Sequence, residues 1–399
     1  MEKQTTQQIR NKFSDFWDEQ GFAKRTSNSI VPPPNWQESL FIMSGFIRHW
    51  ETVATTGFMA QPEYVCQPCI KLGFNYLDLN DMMAKDGFFT FFEQLSCAQA
   101  NTGQKDIFKF VKNVWRFLTQ ELNLPTNKLH ISVHQDQSLI YQAWLAAGVA
   151  KEQITFPDQF AFHLNLDSSN IHGFYSTISF DRGQEQSGYC GNSGCNINCD
   201  CDRFLELGDI GLIAIGDVVI IDHGLGLERI ASACLDQKNT NSLPEIQQLT
   251  SAIHKLIPLD ENELFVITDH LRSTTVIINS GIIPGNKQAG YSLRQLIRKI
   301  LWLLLKFNKL ERETVSILWQ TATEILKKQL GYIDINSDKI VPVILAEYDQ
   351  HLQMVERGKK TLRKFFKKRT SQQPLTDQEK KFLFETYGIP PELIPWTQE

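Results

Sequence analysis

The chain of 399 residues is 42% hydrophobic and 21% charged, a composition that allows a large core in two or three domains. Its longest apolar runs, such as residues 300–305, are far shorter than the roughly 20 residues of a membrane span, so no membrane partner is expected. The net charge of −5 means that a nucleic-acid partner has to meet a local basic face.

The N-terminal segment MEKQTTQQIRNKF lacks a charged region followed by an apolar stretch. It therefore shows no secretory signal, and we expect a cytoplasmic protein whose eight cysteines are reduced. Residues 5–20 carry apolar side chains at helical spacing and stop before Gly21, which predicts an amphipathic helix. Its apolar stripe is expected to be core.

Residues 87–95, GFFTFFEQL, predict a strand that ends on an acid. Its alternation puts Gly87, Phe89, Phe91 and Glu93 on one face. Further along, hydrophobic spacing predicts helices over residues 106–121 and 139–150, with a strand over residues 129–133 between them.

Four cysteines lie within twelve residues of a loop rich in Gly, Asn and Ser: Cys190, Cys195, Cys199 and Cys201. Four thiolates this close could hold Zn²⁺, and an upstream CxxC, Cys66 and Cys69, could contribute. The spacing does not match the standard paired zinc knuckles. The alternative is therefore a flexible loop with reduced thiols.

The stretch from residue 217 to 232, DVVIIDHGLGLERIAS, combines a buried strand with a glycine-rich turn into a helix. Gly224 and Gly226 have no Cβ, so a bulky ligand can approach the backbone, and the N–H groups of the new helix suit an anion. Arg229 offers a guanidinium fork for a phosphate, and Asp222 a carboxylate for an ammonium group. A structural turn with a surface arginine is the alternative interpretation.

After a boundary expected at residues 236–243, the pattern changes to helices over residues 268–279, 291–307 and 343–369. Residues 284–290 predict a turn, followed by Arg294 and Arg298 at exposed positions. The last helix ends in a basic segment, residues 359–369. Its cations are Lys359, Lys360, Arg363, Lys364, Lys367, Lys368 and Arg369. They exceed what the helix dipole needs, which favours phosphate binding over a merely solvated helix end.

Together these segments resemble the catalytic and acceptor-stem-recognition half of alanyl-tRNA synthetase, a class II aminoacyl-tRNA synthetase. DHGLGLERIA (222–231) resembles motif 3, TFFEQL (90–95) motif 2, and CIKLGFNYLDLND (69–81) the segment before motif 2. Residues 269–299 are the most specific match, while 355–362 and 384–390 resemble later landmarks. The resemblance implies an α+β fold. An antiparallel sheet flanked by helices would form a catalytic domain, residues 1–235, followed by an all-helical domain, residues 236–399, that recognises the tRNA acceptor stem.

The resemblance implies that ATP, with Mg²⁺, and a small amino acid form an aminoacyl adenylate, whose acyl group is then transferred to tRNA. Arg229 matches the motif 3 arginine at ATP, with Gly226 beside it and Glu93 as a motif 2 acid near the nucleotide. Asp222 matches the acid that binds the substrate ammonium, and Gly224 the backbone next to it.

For tRNA, Asn286 and Glu385 match positions that read the wobble pair of the acceptor stem, although an aspartate is usual where this chain has Glu385. The basic segment, with Arg294 and Arg298, is expected to contact phosphates.

The chain also departs from the family pattern. Gly87 stands where the motif 2 arginine is expected, and Lys85, two residues earlier on the same strand face, is a candidate replacement in catalysis. Asp209 occupies the position of a substrate-binding asparagine, and Leu164 that of a pocket tryptophan. The family's loop GPCGPCSE falls on residues 170–177 and is mostly lost. The editing and C-terminal domains have no counterpart in the sequence, which predicts a short paralogue.

The sequence leaves three interpretations. The first is a ligase that charges tRNA with alanine or a related small amino acid. The second is an activating paralogue that serves a biosynthetic pathway or another acceptor. The third is a non-catalytic tRNA-binding protein, which the loss of the motif 2 arginine favours. Asn286 and the basic segment argue against a role without tRNA.

Overall fold

The computed structural model describes residues 4–26, 29–34, 39–45, 50, 53, 56–57, 59–72, 86–157, 163–166, 170–185, 188–199, 201–368 and 375–387. The chain divides into two compact units. The first comprises Met1–Ser251 with Leu264–Asp269, and the second comprises Ala252–Glu263 with His270–Glu399. None of the described helices is both long and apolar enough to cross a lipid bilayer.

The first unit is built on a mixed sheet with nine strands among the described residues. These are β1 (Ala23–Lys24), β2 (Glu63–Ile70), β3 (Phe91–Ala100), β4 (Leu129–Val133), β5 (Ile154–Thr155), β6 (His163–Leu166), β7 (Ile171–Asp181), β8 (Phe204–Ile215) and β9 (Val218–Gly226). Their order is β1-β2-β3-β9-β8-β7-β4-β5, with β6 paired to β7. The centre is antiparallel as predicted, whereas the edge pairs β1–β2 and β4–β5 are parallel.

Helices cover the sheet of the first unit: α1 (Thr6–Glu19), α2 (Gln104–Arg116), α3 (Ser138–Ala147) and α4 (Leu227–Cys234). The capping box of Thr5 and Gln8 fixes the start of α1. The apolar stripe predicted for this helix is buried, and the rings of Phe13 and Trp17 lie 5.9 and 5.4 Å from that of His223 on β9. An aromatic core thus fills one face of the central strands.

The predicted strand-to-helix turn at Asp222–Gly224 is wrong in its position. β9 continues to Gly226 because its residues 220–226 pair with β3 and its residues 218–225 with β8. The helix α4 begins only at Leu227, so Asp222 and Gly224 lie within a strand and Arg229 is the third helical residue.

The predicted strand over residues 87–95 begins later than expected, at Phe91, and runs on to Ala100. Gly87 has a φ of +84°, a conformation that ends any regular strand and that residues with a Cβ rarely adopt. The predicted helix over 106–121 is confirmed, although its last part, Phe117–Glu121, is π-helical.

The second unit is helical, as predicted. Two further helices, α5 (Pro244–Leu256) and α6 (Glu261–Asn279), contribute residues to both units, and the remaining ones are α7 (Gln288–Lys306), α8 (Arg312–Gln329), α9 (Ser337–Lys368) and α10 (Asp377–Tyr387). Val355 and Leu362 of α9 form a buried apolar cluster with Leu375 and with Leu383 of α10.

The helix predicted to start after Pro342 starts at Ser337, so the proline lies inside α9. A proline there removes one helical hydrogen bond. The neighbouring Ile340 and Ile344 are both fully buried, and their burial offsets that loss.

Candidate functional site

A cleft opens on one face of the central strands of the first unit, where β3, β9 and β8 lie side by side. Its empty volume, including space that is open to solvent, is about 620 Å³. Its lining consists of Met43, Lys71, Gly87, Phe88, Phe89, Phe92, Gln94, Glu206, Gly208, Asp209, Gly224, Gly226, Glu228 and Arg229. The cleft therefore combines cations, carboxylates and aromatic rings, with glycines on its floor.

Arg229 lies at the wall of the cleft and is held from three sides. Its Nε donates a hydrogen bond of 2.9 Å to the carbonyl of Gly87. Its Nη1 donates to the backbone carbonyl of Glu206 at 3.2 Å and pairs with the carboxylate of the same residue at 2.5 Å. The ring of Phe88 lies 4.8 Å from the guanidinium carbon. These contacts fix the orientation of a side chain that is 17% exposed, which suits it to a bound anion.

Two carboxylates, the half-buried Asp209 and the buried Asp222, lie on the same face of the sheet. The register pairs Asp209 with Gly224 and Gly211 with Asp222, and residues paired across strands or two apart on a strand share a face. A Cβ at Gly211 would overlap the carboxylate of Asp222. Both acids therefore lie beside the floor of the cleft.

Burial and neighbouring charge set the ionisation of these acids. Burial raises the pKa of Asp209 to about 7, and the charge of Glu206 acts in the same direction. Burial likewise raises the pKa of Asp222 to about 7, although Trp50 Nε1 donates a hydrogen bond of 3.1 Å to its carboxylate. The Thr177 hydroxyl donates to Asp209 at 2.6 Å. Two neighbouring carboxyl groups with raised pKa values favour a positively charged ligand.

Glu93, predicted to lie near a nucleotide, faces the other way. Its carboxylate is 4% exposed and accepts hydrogen bonds from the Arg10 guanidinium of α1. Its neighbours Phe92 and Gln94 line the cleft, and strand alternation places Glu93 on the opposite face. Glu93 therefore anchors α1, and its predicted contact with a nucleotide stays a prediction.

Sequence reasoning missed Gln94, which stands next to Glu93 in TFFEQL. Its Oε1 accepts the backbone N–H of Gly45 at 2.7 Å and the hydroxyl of Ser96 at 3.0 Å. A Cβ at Gly224 would overlap the Gln94 side chain, which explains the glycine at that position. Alternation along the strand places Gln94 on the face opposite Glu93. The sequence alone does not show which of these two faces lines an open cleft.

Lys71, Glu206 and Glu228 also line the cleft and were not predicted. Lys71 directly follows β2, and its backbone N–H donates to the carbonyl of Thr90 at 2.9 Å. Lys85, the predicted substitute for an arginine, lies outside the described residues. Lys71 is therefore the lysine that the described part of the chain brings to the cleft.

The structure brings the four loop cysteines together. The Sγ atoms of Cys190, Cys195, Cys199 and Cys201 all lie within 4.8 Å of one another. Cys66 and Cys69 do not join them, because both lie on β2 and the Cys66 thiol contacts the Glu93 carboxylate at 3.5 Å. The suggestion that the CxxC contributes to the same metal site is therefore wrong.

In the second unit, the predicted tRNA-binding arginines form ion pairs. Arg294 and Arg298 donate from Nε to the two oxygens of Glu347, at 3.1 and 2.7 Å, and that carboxylate is 1% exposed. Arg294 also donates from Nη1 to the Oδ1 of the exposed Asn286. The two arginines therefore hold α7 against α9 and orient Asn286, instead of standing as freely exposed cations.

The basic segment lies at the end of α9, where Lys360, Arg363, Lys364 and Lys367 are exposed. Lys359 is half-buried and lies 3.9 Å from Glu356. Glu385 falls within α10, and the predicted contacts of its side chain stay a prediction. The exposed cations share one face of the helix, which suits contact with a phosphate backbone.

The chain was compared with known proteins. A family model, tRNA synthetases class II (A), matches residues 8–397. The alanine–tRNA ligase of Clostridioides difficile (strain 630) is 27% identical over 425 aligned positions, which cover 98% of this chain and 46% of that protein. The corresponding ligase of Elusimicrobium minutum (strain Pei191) is 28% identical over 97% of this chain and 46% of that protein. The chain thus spans about half the length of these curated relatives.

Among solved structures, apo histidyl-tRNA synthetase of S. aureus matches 63% of this chain and 75% of its own, with a TM-score of 0.37 and 8% identity. Pyrrolysyl-tRNA synthetase from Desulfitobacterium hafniense matches 60% and 72%, with a TM-score of 0.30 and 10% identity. The family match over residues 8–397, which covers nearly the whole chain, shows that this protein belongs to the class II (A) tRNA synthetases.

Proposed function

We propose that this protein uses ATP to activate alanine or a related small amino acid as an adenylate and transfers the acyl group to tRNA. The observation that carries the proposal is that one cleft is lined by a fixed guanidinium, Arg229, and by Asp209, with the buried acid Asp222 on the same sheet face. The first group suits a phosphate and the other two suit an ammonium. Membership of the synthetase family and the names of the relatives support the same reaction.

The nucleotide phosphates would bind in the cleft against Arg229 and Lys71, which both line it. Arg229 is already oriented by Gly87 and Glu206, so little conformational freedom is lost when a phosphate binds. Two carboxylates of the lining, Glu206 and Glu228, offer the oxygen ligands that Mg²⁺ prefers. Bound there, Mg²⁺ would neutralise charge on the phosphates.

The amino acid would bind with its ammonium group toward Asp222 and Asp209. Asp222 is buried and Asp209 is half-buried, so their attraction for a cation is less screened than that of surface carboxylates. A bound ammonium would favour their ionised forms and lower their pKa values again. With the amino group held there, the substrate carboxylate could reach the α-phosphate of a nucleotide bound at Arg229.

We further propose that Gly87 alters the activity relative to a site with a motif 2 arginine. A lysine provides a point charge without the bidentate fork, so Lys71, or the predicted Lys85, would replace the missing arginine only in part. Adenylate formation is expected to be slower than with an arginine at this position.

For the second step, we propose that the tRNA acceptor stem binds the second unit. The exposed cations of the basic segment would contact phosphates, and Asn286, oriented by Arg294, would read a base pair in the shallow minor groove, with Glu385 as a second reader. Arg294 and Arg298 support this surface as positioning residues.

Pyrophosphate exchange into ATP, measured for each amino acid with and without tRNA, tests the proposal. We expect exchange with alanine or another small amino acid. Exchange with none of them, under either condition, would contradict the catalytic proposal and favour the non-catalytic tRNA-binding interpretation. Exchange without any transfer to tRNA would point to another acceptor for the acyl group.

A further inference from the structure

The loop between β7 and β8 is stabilised by little hydrophobic burial. In its cysteine-containing part, none of the described residues 188–199 and 201–203 is buried. Short turns shape it instead: Asn192 Oδ1 accepts the N–H of Gly194, and Asn196 Oδ1 accepts the N–H of Asn198, both at 2.9 Å. A loop of this composition needs another source of stability to hold one conformation.

The four thiols of this loop have the geometry of a single-ion site. The Sγ atoms of Cys195 and Cys201 are 3.5 Å apart, and those of Cys190 and Cys199 are 3.7 Å apart. Tetrahedral zinc with Zn–S bonds of about 2.3 Å places its sulfur atoms about 3.8 Å apart. The maximum separation of 4.8 Å leaves room for one ion at the centre.

We propose that Cys190, Cys195, Cys199 and Cys201 bind one Zn²⁺ as a closed structural site that folds the β7–β8 loop. Four sulfur ligands in a tetrahedral arrangement are typical of structural zinc, and no ligand position is left for a substrate. Cys190 is exposed and the other three are half-buried, so the ion can enter from solvent. Arg203 lies beside Cys195 and partly offsets the negative charge of four thiolates.

The proposed zinc site is also linked to one wall of the cleft. Asp202 directly follows the ligand Cys201, and its Oδ1 accepts the backbone N–H of Asp86 at 3.3 Å. The carboxylate of Asp86 in turn pairs with Arg182 at 2.6 Å. Asp86 is followed in the chain by Gly87, whose carbonyl orients Arg229. Thr240 also donates to the Asp86 carboxylate from its backbone N–H and its hydroxyl, so bound zinc would add one hydrogen bond to the contacts that hold Asp86 and Gly87.

Elemental analysis of the purified full-length chain, expressed with added zinc and desalted, is the direct test. We expect about one Zn²⁺ per chain, and after exchange for Co²⁺ the intense visible absorption of a tetrahedral thiolate site. Cys195→Ser and Cys199→Ser should each lower the zinc content strongly. Ser193→Ala, which changes the same loop and keeps all four thiols, should retain the ion. Stoichiometric iron, or a metal-free chain whose mass shows two disulfides, would overturn the assignment.

A second measurement covers variants that fail to fold. Chelation of the wild-type protein should expose the loop to limited proteolysis and free four additional thiols for a thiol reagent, and added Zn²⁺ should reverse both effects. An unchanged cleavage pattern after complete removal of the metal would contradict the structural role.

The link to the cleft has its own test. Asp202→Ala should retain zinc and weaken ATP binding severalfold, as chelation should in the wild type. ATP affinity that is indifferent to both would overturn the coupling. This readout rests on the proposed nucleotide site, whereas the metal content does not, so failure of one is distinguishable from failure of the other.

Discussion

Arg229 donates its Nε–H to the carbonyl of Gly87 across a distance of 2.9 Å, although 142 residues separate the two in the chain. The backbone of Gly87 is left-handed, with φ of +84°, a conformation that residues with a Cβ rarely adopt. A glycine at this position thus orients an arginine contributed by another element. The same contact makes the proposed nucleotide site sensitive to the backbone at Gly87.

Gly87→Ala is expected to weaken ATP binding and to destabilise the fold. An alanine in the left-handed region costs about 1 to 2 kcal/mol. Its Cβ would lie 3.1 Å from Leu205 and 3.3 Å from two atoms of the Arg229 side chain, which has to shift. Gly21→Ala is the matched control, because Gly21 has φ of +83° and no such neighbour within 4 Å. Thermal unfolding should show lower stability for both variants. Calorimetric titration should show weaker ATP binding for Gly87→Ala alone. Equal ATP affinity in the two variants would contradict the role of this contact.

Arg229→Ala should lower ATP affinity by about 10- to 100-fold, since a hydrogen bond to a charged group contributes about 1.5 to 3 kcal/mol. The fold should survive, because the side chain is partly exposed. Arg25→Ala is the control, because it removes a guanidinium that lies 3.6 Å from its partner Glu63, and neither residue lines the cleft. This variant should bind ATP normally. Unaltered ATP affinity in the folded Arg229 variant would exclude this residue from the nucleotide site.

The affinity for the amino acid should fall as the pH drops through about 7. Asp209 and Asp222 each have a pKa raised to about 7, so below that pH they become protonated and lose their attraction for an ammonium group. Equilibrium binding of the amino acid between pH 5.5 and 8.5, at about constant ionic strength, checks this. An affinity that does not change with pH over this range would argue against these acids as the ammonium site.

The same raised pKa predicts the effect of Asp222→Asn on stability. The folded-state pKa of about 7 lies above the usual value of 3.8, so the carboxyl stabilises the fold below pH 3.8 and that contribution is lost as the pH rises through about 7. The amide keeps an acceptor for Trp50 without a charge. Relative to the wild type, the variant should thus be more stable at alkaline pH and bind the amino acid poorly. Lower stability at alkaline pH would contradict the buried, ionising carboxylate.

The contribution of His223 to stability depends on pH in the opposite direction to that of Asp222. It is fully buried among aromatic rings, and burial lowers its pKa to about 3. A neutral folded-state imidazole stabilises the protein above the unfolded pKa of about 6.5, and this contribution is lost as the pH falls below it. His223→Phe should therefore improve stability relative to the wild type at pH 5 more than at pH 8, as measured by urea unfolding. An equal change at both values would exclude His223 as a source of acid sensitivity.

Replacing both Lys364 and Lys367 by alanine should weaken binding to every RNA stem. It should also reduce the slope of the logarithm of the binding constant against the logarithm of the salt concentration by about the contribution of two phosphate contacts. The exposed pair Lys327 and Lys328 on α8 provides a control with the same change in net charge. Asn286→Ala should instead remove the preference for a stem carrying the wobble pair, with little loss of overall affinity. A wild-type protein without such a preference at moderate salt would contradict acceptor-stem recognition.

The sequence by itself determined the types of the elements and the order of the motifs. Local sequence predicts the apolar faces of α1 and α2 and the strand β4. Apolar side chains repeat along the chain with the period of the element that buries them. The parity of β3 was also readable, since Phe91 and Glu93 share a face whatever that face contacts. The four cysteines were visible as a candidate zinc site, because their spacing in the loop is short.

Only the tertiary structure decided which face of each element meets the cleft. Glu93 pairs with Arg10 while Gln94 lines the cleft, because α1 covers one side of β3 and leaves the other open. Hydrogen bonds from both neighbours extend β9 to Gly226 through a segment whose local sequence indicates a turn. Arg294 and Arg298, which look exposed in the sequence, both pair with the single carboxylate of Glu347 on another helix. In each case the deciding partner is distant in the chain, and only the fold brings it within reach.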